Sequence, residues 1–245
     1  MNVMSFNMLY LSDKPESSES HAVSVKVWPI RKDMLLPLLK FHDVDICGSQ
    51  ELRQPQLEYL FPDKIYAYVD DGKAENLWAR NCIIYRKSRF EVLESGKFWL
   101  VRGGRDKHGK SARYCQWAKF KDLRSGAEFY HFNLHNEHRN MPDRRLEAAN
   151  VVLENIAQIA KGKPAFLTGD FNAQAPWEYD VFVKAGFSIG NCSEAYGTKA
   201  TLRNIPADNI VLSPGLAFAD FRVLDRYVLD TDHLPLAATV RIAEK

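Results

Sequence analysis

Apolar positions recur along this chain in short strand-like runs, with longer helical stretches set between them. Asn2–Leu9 opens as a strand, and Val44–Ser49 reads as a second, buried one. Residues 29–41 have helical spacing, with Pro29 near the first turn and Ile30, Met34, Leu38 and Phe41 on one face. Pro37 conflicts with that helix, because an interior proline removes a backbone donor and crowds the preceding turn. Strands follow at Asn81–Arg86, Phe90–Leu100, Ala112–Lys119 and Glu128–Leu134. Pro142–Ala160 is the clearest helix, with Pro142 suited to its first turn and an apolar stripe of Leu146, Ala149, Leu153, Ile156 and Ala160. Pro164–Thr168, Asn209–Ser213, Phe218–Leu229 and Leu236–Ile242 complete the strands. Ser12–His21, Val101–Lys110 and Gly197–Pro206 read as loops. The order lacks the strict strand–helix alternation of a Rossmann or barrel fold. Two sheets face to face, each covered outside by helices, accommodate it.

Composition narrows this only a little. A chain of 245 residues, 46% hydrophobic and 26% charged, suits an ordinary globular α/β protein. No repeat or low-complexity linker divides it, so residues 1–245 read as one domain. No apolar run is long enough to span a bilayer. The balance of 33 basic and 31 acidic residues, net +2, gives no basic excess of the kind that marks nucleic-acid binders. Cys47, Cys82, Cys115 and Cys192 are far apart and form no CxxC knuckle, so free thiols and a reducing, cytoplasmic compartment are expected. The N-terminus lacks the long apolar core of a signal peptide.

The polar residues that resist a structural explanation share one position, at or just past a strand end. Asn7 follows the first strand, and Gln50 and Glu51 follow the second. His135 follows Glu128–Leu134, and Asp170 and Asn172 follow the strand through Thr168. Asp208 opens the strand at 209, and Asp232 and His233 precede the last strand. Strand ends at one sheet edge are where a fold gathers side chains from distant sequence. Carboxylates with amide oxygens suit a hard cation such as Mg²⁺, whereas zinc calls for clustered His and Cys. Each residue also has an ordinary alternative. Glu51 fits an exposed loop acid, Asn7 a buried hydrogen-bonded amide, Thr168–Asn172 a turn, and Asp232–His233 a surface pair. In HNEH (135–138), His138 reads as a solvated loop residue, while His21, His42, His108 and His131 read as structural. Trp28, Trp78, Trp99 and Trp177 offer stacking faces but suit the core better.

Taken together, the order and neighbours of these residues resemble the endonuclease/exonuclease/phosphatase superfamily over nearly the whole chain. VMSFN (3–7) is similar to its opening strand, and WPIRKDMLLPLLKFHDVDICGSQE (28–51) to its first helix and the strand ending in Gln-Glu. FYHFNLH (129–135) resembles its Asn-Thr-His strand, AFLTGDFNA (165–173) its most specific signature, ADNIVLS (207–213) its Ile-Asp strand, and TDHLP (231–235) its Ser-Asp-His-x-Pro ending. GKFWL (96–100) and ARYCQWAKF (112–120) resemble the bacterial and deadenylase-like branch.

The resemblance implies a DNase I-like four-layer α/β sandwich, two packed mixed β-sheets flanked by helices. It implies a Mg²⁺-dependent hydrolase of phosphoesters, with Mn²⁺ a possible substitute. Glu51 would be the main metal carboxylate, supported by Asn7 and Asp232. Asp170 would activate or orient the attacking water, and Asn172 would hold that water or a phosphate oxygen. His135 would donate to the phosphoryl oxygens, as would His233, oriented by Asp208. Arg113 and Arg145 are weaker substrate-binding candidates, with surface salt bridges as their alternative. Two departures stand out: Leu134 replaces the family's Thr, and Ala207 replaces its Ile after a short loop. The expected substrate is phosphorylated, a small molecule ahead of DNA or RNA, with no obligate protein partner. A non-catalytic binding module that kept the fold is the remaining alternative.

Overall fold

The computed structural model describes residues 1–11, 28–71, 79–102, 113–138, 140–202, 204–225 and 231–242. The loop expected at Ser12–His21, most of the one at Val101–Lys110, and Trp78, His21 and His108 lie outside these residues. So do the start of the strand expected from Ala112 and the end of that expected to Leu229.

The two sheets have six strands each. The first runs β11(Leu216–Val223)–β12(Leu236–Ile242)–β1(Asn2–Asn7)–β2(Ile46–Gln50)–β4(Ile83–Arg86)–β3(Tyr66–Val69). The second runs β5(Phe90–Trp99)–β6(Tyr114–Asp122)–β7(Glu128–His135)–β8(Ala165–Asp170)–β10(Asp208–Leu212)–β9(Ser188–Ile189). At the centre of each lies a parallel pair, β1 with β2 and β7 with β8, and every other pairing is antiparallel. Parallel neighbours need a crossover. The crossovers are the helices α1 (Trp28–Phe41) and α3 (Pro142–Ala160). Short helices α2 (Gln54–Leu60) and α4 (Asp180–Lys184) and a 3-10 turn at Pro176–Tyr179 complete the described helical segments.

Three apolar clusters separate four layers. One lies between the first sheet and α1 and α2, including Met4, Phe6, Leu35, Leu39 and Leu57. One lies between the second sheet and α3 and α4, including Phe132, Leu167, Val152, Ile156 and Phe182. The third fills the space between the sheets with Val3, Ile46, Phe129, Phe166, Ile210 and Val240. The two-residue period of a strand explains the division. In β7, Tyr130, Phe132 and Leu134 meet the helices, whereas Phe129 faces the opposite sheet. No described helix is long and apolar enough to cross a membrane.

Polar residues replace apolar ones between the sheets as the central strands approach their C-terminal ends. Asn133 of β7 donates to the carbonyls of Ser49 (2.8 Å) and Cys82 (3.0 Å) and accepts from Gln50 of β2 (2.7 Å) and Thr168 of β8 (3.0 Å). The Thr168 hydroxyl has donated its proton to Asn133, so His131 Nε2, 2.7 Å away, donates to it. The His131 ring stacks on Phe166 at 4.3 Å. At Gly48 the sheets approach closely. A Cβ there would lie 1.8 Å from Thr168 Oγ1 and 2.4 Å from Asn133 Oδ1.

Several expectations are corrected. In α1 the buried face is Arg31, Leu35, Leu38 and Leu39, while Phe41 is 77% exposed and Met34 half-buried. The side chain of Ile30 lies outside the described residues. In α3, Arg145 and Ala148 turn inward and Leu146 is 46% exposed. An arginine in the first turn of each helix occupies an inward position, while Ala149, Ile156 and Ala160 of the expected α3 stripe are buried and Leu153 packs against the core. Pro37 lies on the exposed side of α1, and the helix continues through it. Trp177 is 59% exposed and Trp99 half-buried, so of the described expected core tryptophans only Trp28 is buried. The elements at 54–60, 66–69 and 176–189 carry too short a pattern to be read from sequence. The four cysteines are free, as expected.

Replacing Gly48 with Ala is expected to destabilise the protein by about 1–3 kcal/mol, from overpacking at the sheet contact, as read by urea unfolding. Burial holds the His131 imidazole down from 6.5 to about 3. Between those values the unfolded chain binds a proton that the folded protein excludes. Stability is therefore full above pH 6.5 and falls with acidification, by about 1.4 kcal/mol per pH unit from this residue. His131→Phe should flatten that slope in urea titrations at pH 4.5–7.

Candidate active site

The inward alternation of the central strands ends in ionisable and amide side chains. Asn7 continues the series Val3, Ser5; His135 continues Phe129, His131, Asn133; Asp170 continues Phe166, Thr168. Register aligns them, with Asn7 opposite Gln50, His135 opposite Asp170, and Asp170 opposite Asp208. Glu51 follows Gln50 and would fall on the helix-facing side of the strand. Its φ of 67° turns the chain instead, and its side chain reaches the same cavity. Asn172 has φ 51°, also in the left-handed region. Non-glycine residues adopt that region uncommonly, and such strain concentrates at functional sites.

Asp170 is the hub. Its Oδ1 accepts the Asn172 backbone N–H at 2.8 Å and its Oδ2 accepts Asn7 Nδ2 at 3.1 Å. The Nε2 atoms of His135 and His233 lie 3.3 and 3.5 Å from that same Oδ2. Asn7 Nδ2 also donates to Glu51 Oε1 at 3.1 Å, while Asn7 Oδ1 accepts the N–H of Leu9. Asn7 therefore presents its nitrogen to two carboxylates and holds them together. His233 donates Nδ1–H to Asp208 Oδ2 at 2.8 Å. Thr231 fixes the His233 backbone through two hydrogen bonds. Thr201 accepts the N–H of Asp208 at 2.9 Å.

Electrostatics separates the two histidines. Burial and the nearby Arg113 hold His135 well below its ordinary value, so it is neutral. Burial also opposes charge on His233, but Asp208 and Asp170 outweigh it and raise the imidazole well above its ordinary value. Burial and the neighbouring Asp232 raise Glu51, and burial raises Asp170 against the pull of His233. Glu51 Oε2, Asp208 Oδ1 and Asp232 Oδ1 are buried atoms with no hydrogen-bond partner among the described residues. Ligand atoms of Glu51, His135 and Asp170 lie within 4.8 Å of one another, as do those of Asp170, Asp208 and His233. Crowded carboxylates of which three oxygens lack a donor are a donor set that suits a hard cation.

A cavity of about 270 Å³ opens over this centre, lined by Glu51, Arg113, His135, Asp170, Asn172, Asp232 and His233. Asp208 stands behind His233. The Arg113 Nε has no hydrogen-bond partner among the described residues. Arg145 is placed elsewhere. It is buried, with Nε and Nη2 paired to Glu178 at 2.7 and 3.1 Å. Sequence reasoning missed Gln174, Leu202 and Ile205, which also line the cavity. His138 is exposed as expected, yet stands at the cavity rim. Their only signal was proximity in sequence to the motif residues.

The chain belongs to the endonuclease/exonuclease/phosphatase family, whose model matches residues 4–233. It shares that family's DNase I-like fold, and phosphoester hydrolysis is the chemistry to which its relatives belong. A mannosyl-6-phosphatase, Bt3783, of Bacteroides thetaiotaomicron is 26% identical, superposes with a TM-score of 0.81, and covers 99% of this chain and 100% of its own. An endonuclease/exonuclease/phosphatase protein from Bacteroides vulgatus is 27% identical with a TM-score of 0.81, covering 99% of this chain and 98% of its own. The human Nocturnin catalytic domain, at 19% identity and a TM-score of 0.77, covers 99% and 94% and shares the fold. No curated protein matches the sequence.

Glu51→Gln removes one of the crowded carboxylates while keeping a hydrogen-bond acceptor for Asn7. It is expected to raise the melting temperature in EDTA by a few degrees, as seen by calorimetry. A lower melting temperature would show that the carboxylate is already compensated.

Proposed function

We propose that this chain is a divalent-metal-dependent phosphoester hydrolase that attacks a small phosphorylated substrate with water. The observation that carries the proposal is the convergence of Glu51, His135, Asp170 and His233 on one cavity, with partnerless carboxylate oxygens beside them. Glu51 and Asp232 fit a hard cation such as Mg²⁺, with Mn²⁺ as a substitute, and Asn7 holds Glu51 beside Asp170. Bound there, the ion would supply neutralising charge to the phosphoryl and leaving oxygens.

The remaining roles belong to the chain's own groups. Asp170, raised by burial toward neutrality, is suited to take a proton from the attacking water, and Asn172 holds it in line through its backbone N–H. His233 enters protonated and directs Nε2–H toward a phosphoryl oxygen, while Asp208 fixes the ring and balances its charge. Neutral His135 and the Arg113 guanidinium add donors from the other wall. Such preorganised donors dominate phosphoryl transfer because the transition state spreads charge over the phosphoryl oxygens. Both sheets contribute to this one centre, which supports reading residues 1–245 as a single catalytic domain.

The name of the Bacteroides phosphatase favours a phosphomonoester. The net charge of only +2, and the lack of Phe, Tyr or Trp among the described lining residues, favour a small ligand over a polynucleotide.

The test compares p-nitrophenyl phosphate, bis-p-nitrophenyl phosphate, hexose phosphates and poly(A) with Mg²⁺, then with EDTA. Hydrolysis of a monoester that EDTA abolishes is expected, and full activity in EDTA would sink the metal dependence. Asp170→Ala and His233→Ala should each lower kcat by about 10²–10³ with the fold intact by circular dichroism. Wild-type rates in both would refute the role assignments. Mg²⁺ should raise the melting temperature of the wild type and not that of Glu51→Gln.

A further inference from the structure

Arg145 reaches two loops at once. Its guanidinium forms a double ion pair with Glu178 and donates to the His138 carbonyl at 3.1 Å. Glu178 Oε1 also accepts the backbone N–H of Gln174 at 2.7 Å. A single ion pair, 3% and 9% exposed, thus anchors the segment after β7 that carries His138 and the segment after β8 that carries Gln174. The connection closes on itself: Asn136 donates to the Arg145 carbonyl, Asn172 to the Asn136 carbonyl, and Gln174 Nε2 to the Asn172 carbonyl. Both anchored residues line the cavity, as do Leu202 and Ile205 from the turn before β10. That turn is itself fastened, with Leu234 N–H donating to Thr201 O at 2.8 Å.

We propose that His138, Gln174, Leu202 and Ile205 form a leaving-group subsite, with the Arg145–Glu178 pair as its positioning element. The subsite takes the hydroxyl-bearing part of a small phosphomonoester such as a sugar phosphate. The proposal rests on the phosphoester reading above and assigns the other half of the same cavity. The floor supplies the charges a phosphate needs. The rim supplies one imidazole and one carboxamide, which suit hydroxyls, beside two aliphatic side chains that suit the C–H face of a ring. A cavity of about 270 Å³ matches a compact ligand. Arg145 and Glu178 do not line it and act only through the loops they hold.

Calorimetric titration tests this with a hexose 6-phosphate and with inorganic phosphate, both in Mg²⁺, in an Asp170→Asn background that blocks turnover. With the rim intact, the hexose phosphate should bind at least about tenfold tighter than inorganic phosphate, since it alone gains the subsite's contacts. Glu178→Gln and Arg145→Met should weaken the hexose phosphate about tenfold and leave inorganic phosphate within about twofold. If either variant fails to fold, His138→Ala and Gln174→Ala, which leave the buried pair intact, should give the same selective loss. Equal loss for both ligands would overturn the proposal, as would a lower melting temperature with unchanged affinities. A hexose phosphate that binds no tighter than inorganic phosphate would also overturn it. Absence of hydrolysis by the wild type would refute the phosphoester reading without altering these binding comparisons.

Discussion

The close approach of the two sheets at Gly48 is the constraint on which the site depends. A side chain there would collide with Thr168 and Asn133, and its absence lets Asn133 of the second sheet bond to Gln50 and to the Ser49 and Cys82 carbonyls on the side of the first, while Thr168 and His131 brace Asn133 from within its own sheet. Each such bond contributes only about 1 kcal/mol net, but leaving a buried partner unsatisfied costs about 1–3 kcal/mol. The network therefore specifies one registration of the sheets more than it adds stability. Asn7 ends β1 beside Gln50 of β2, and His135, Asp170 and Asp208 face one another at the same end of β7, β8 and β10, so that registration brings them together.

The first turns of α1 and α3 hold the loops that leave β1 and β7. Arg31 donates to the carbonyls of Met8, Leu9 and Tyr10 just past Asn7, and Arg145 donates to that of His138 just past His135. Gln56 of α2 adds a bond to the Leu9 carbonyl. Each crossover helix thus does two things: it covers its sheet with apolar side chains, and it fastens the loop on which a site residue depends. The free energy cost of burying a guanidinium is offset by carbonyls that would otherwise lack donors. At α3 the Glu178 carboxylate adds a counter-charge and ties in a second loop.

The centre itself runs against stability. Carboxylates crowd a cavity, two backbone positions are left-handed, and buried oxygens lack donors. This is the expected cost of an electrostatic environment prepared for a charged ligand before it arrives. The rigid sheet interface beneath supplies the constraint that keeps those groups in place.

The sequence by itself determined the family motifs, most of the strands, the extent of α3, and which polar residues sit at strand ends. These come from local rules: period-two burial, proline at a helix start, and polar residues where an apolar strand stops. They were enough to name Glu51, Asp170 and His233 together, since every one lies at the end of a patterned segment. Only the tertiary structure decided which way α1 faces and that the first-turn arginines of α1 and α3 turn inward, because hydrophobic periodicity treats an arginine as outward. Arg31 and Arg145 point inward for carbonyls supplied by other segments. For the same reason the weak substrate candidate Arg145 is a buried clamp, while Arg113 keeps its place at the cavity. Gln174, Leu202 and Ile205 carry no signal beyond nearness to the motif residues, since their position depends on how three loops meet above the strand ends.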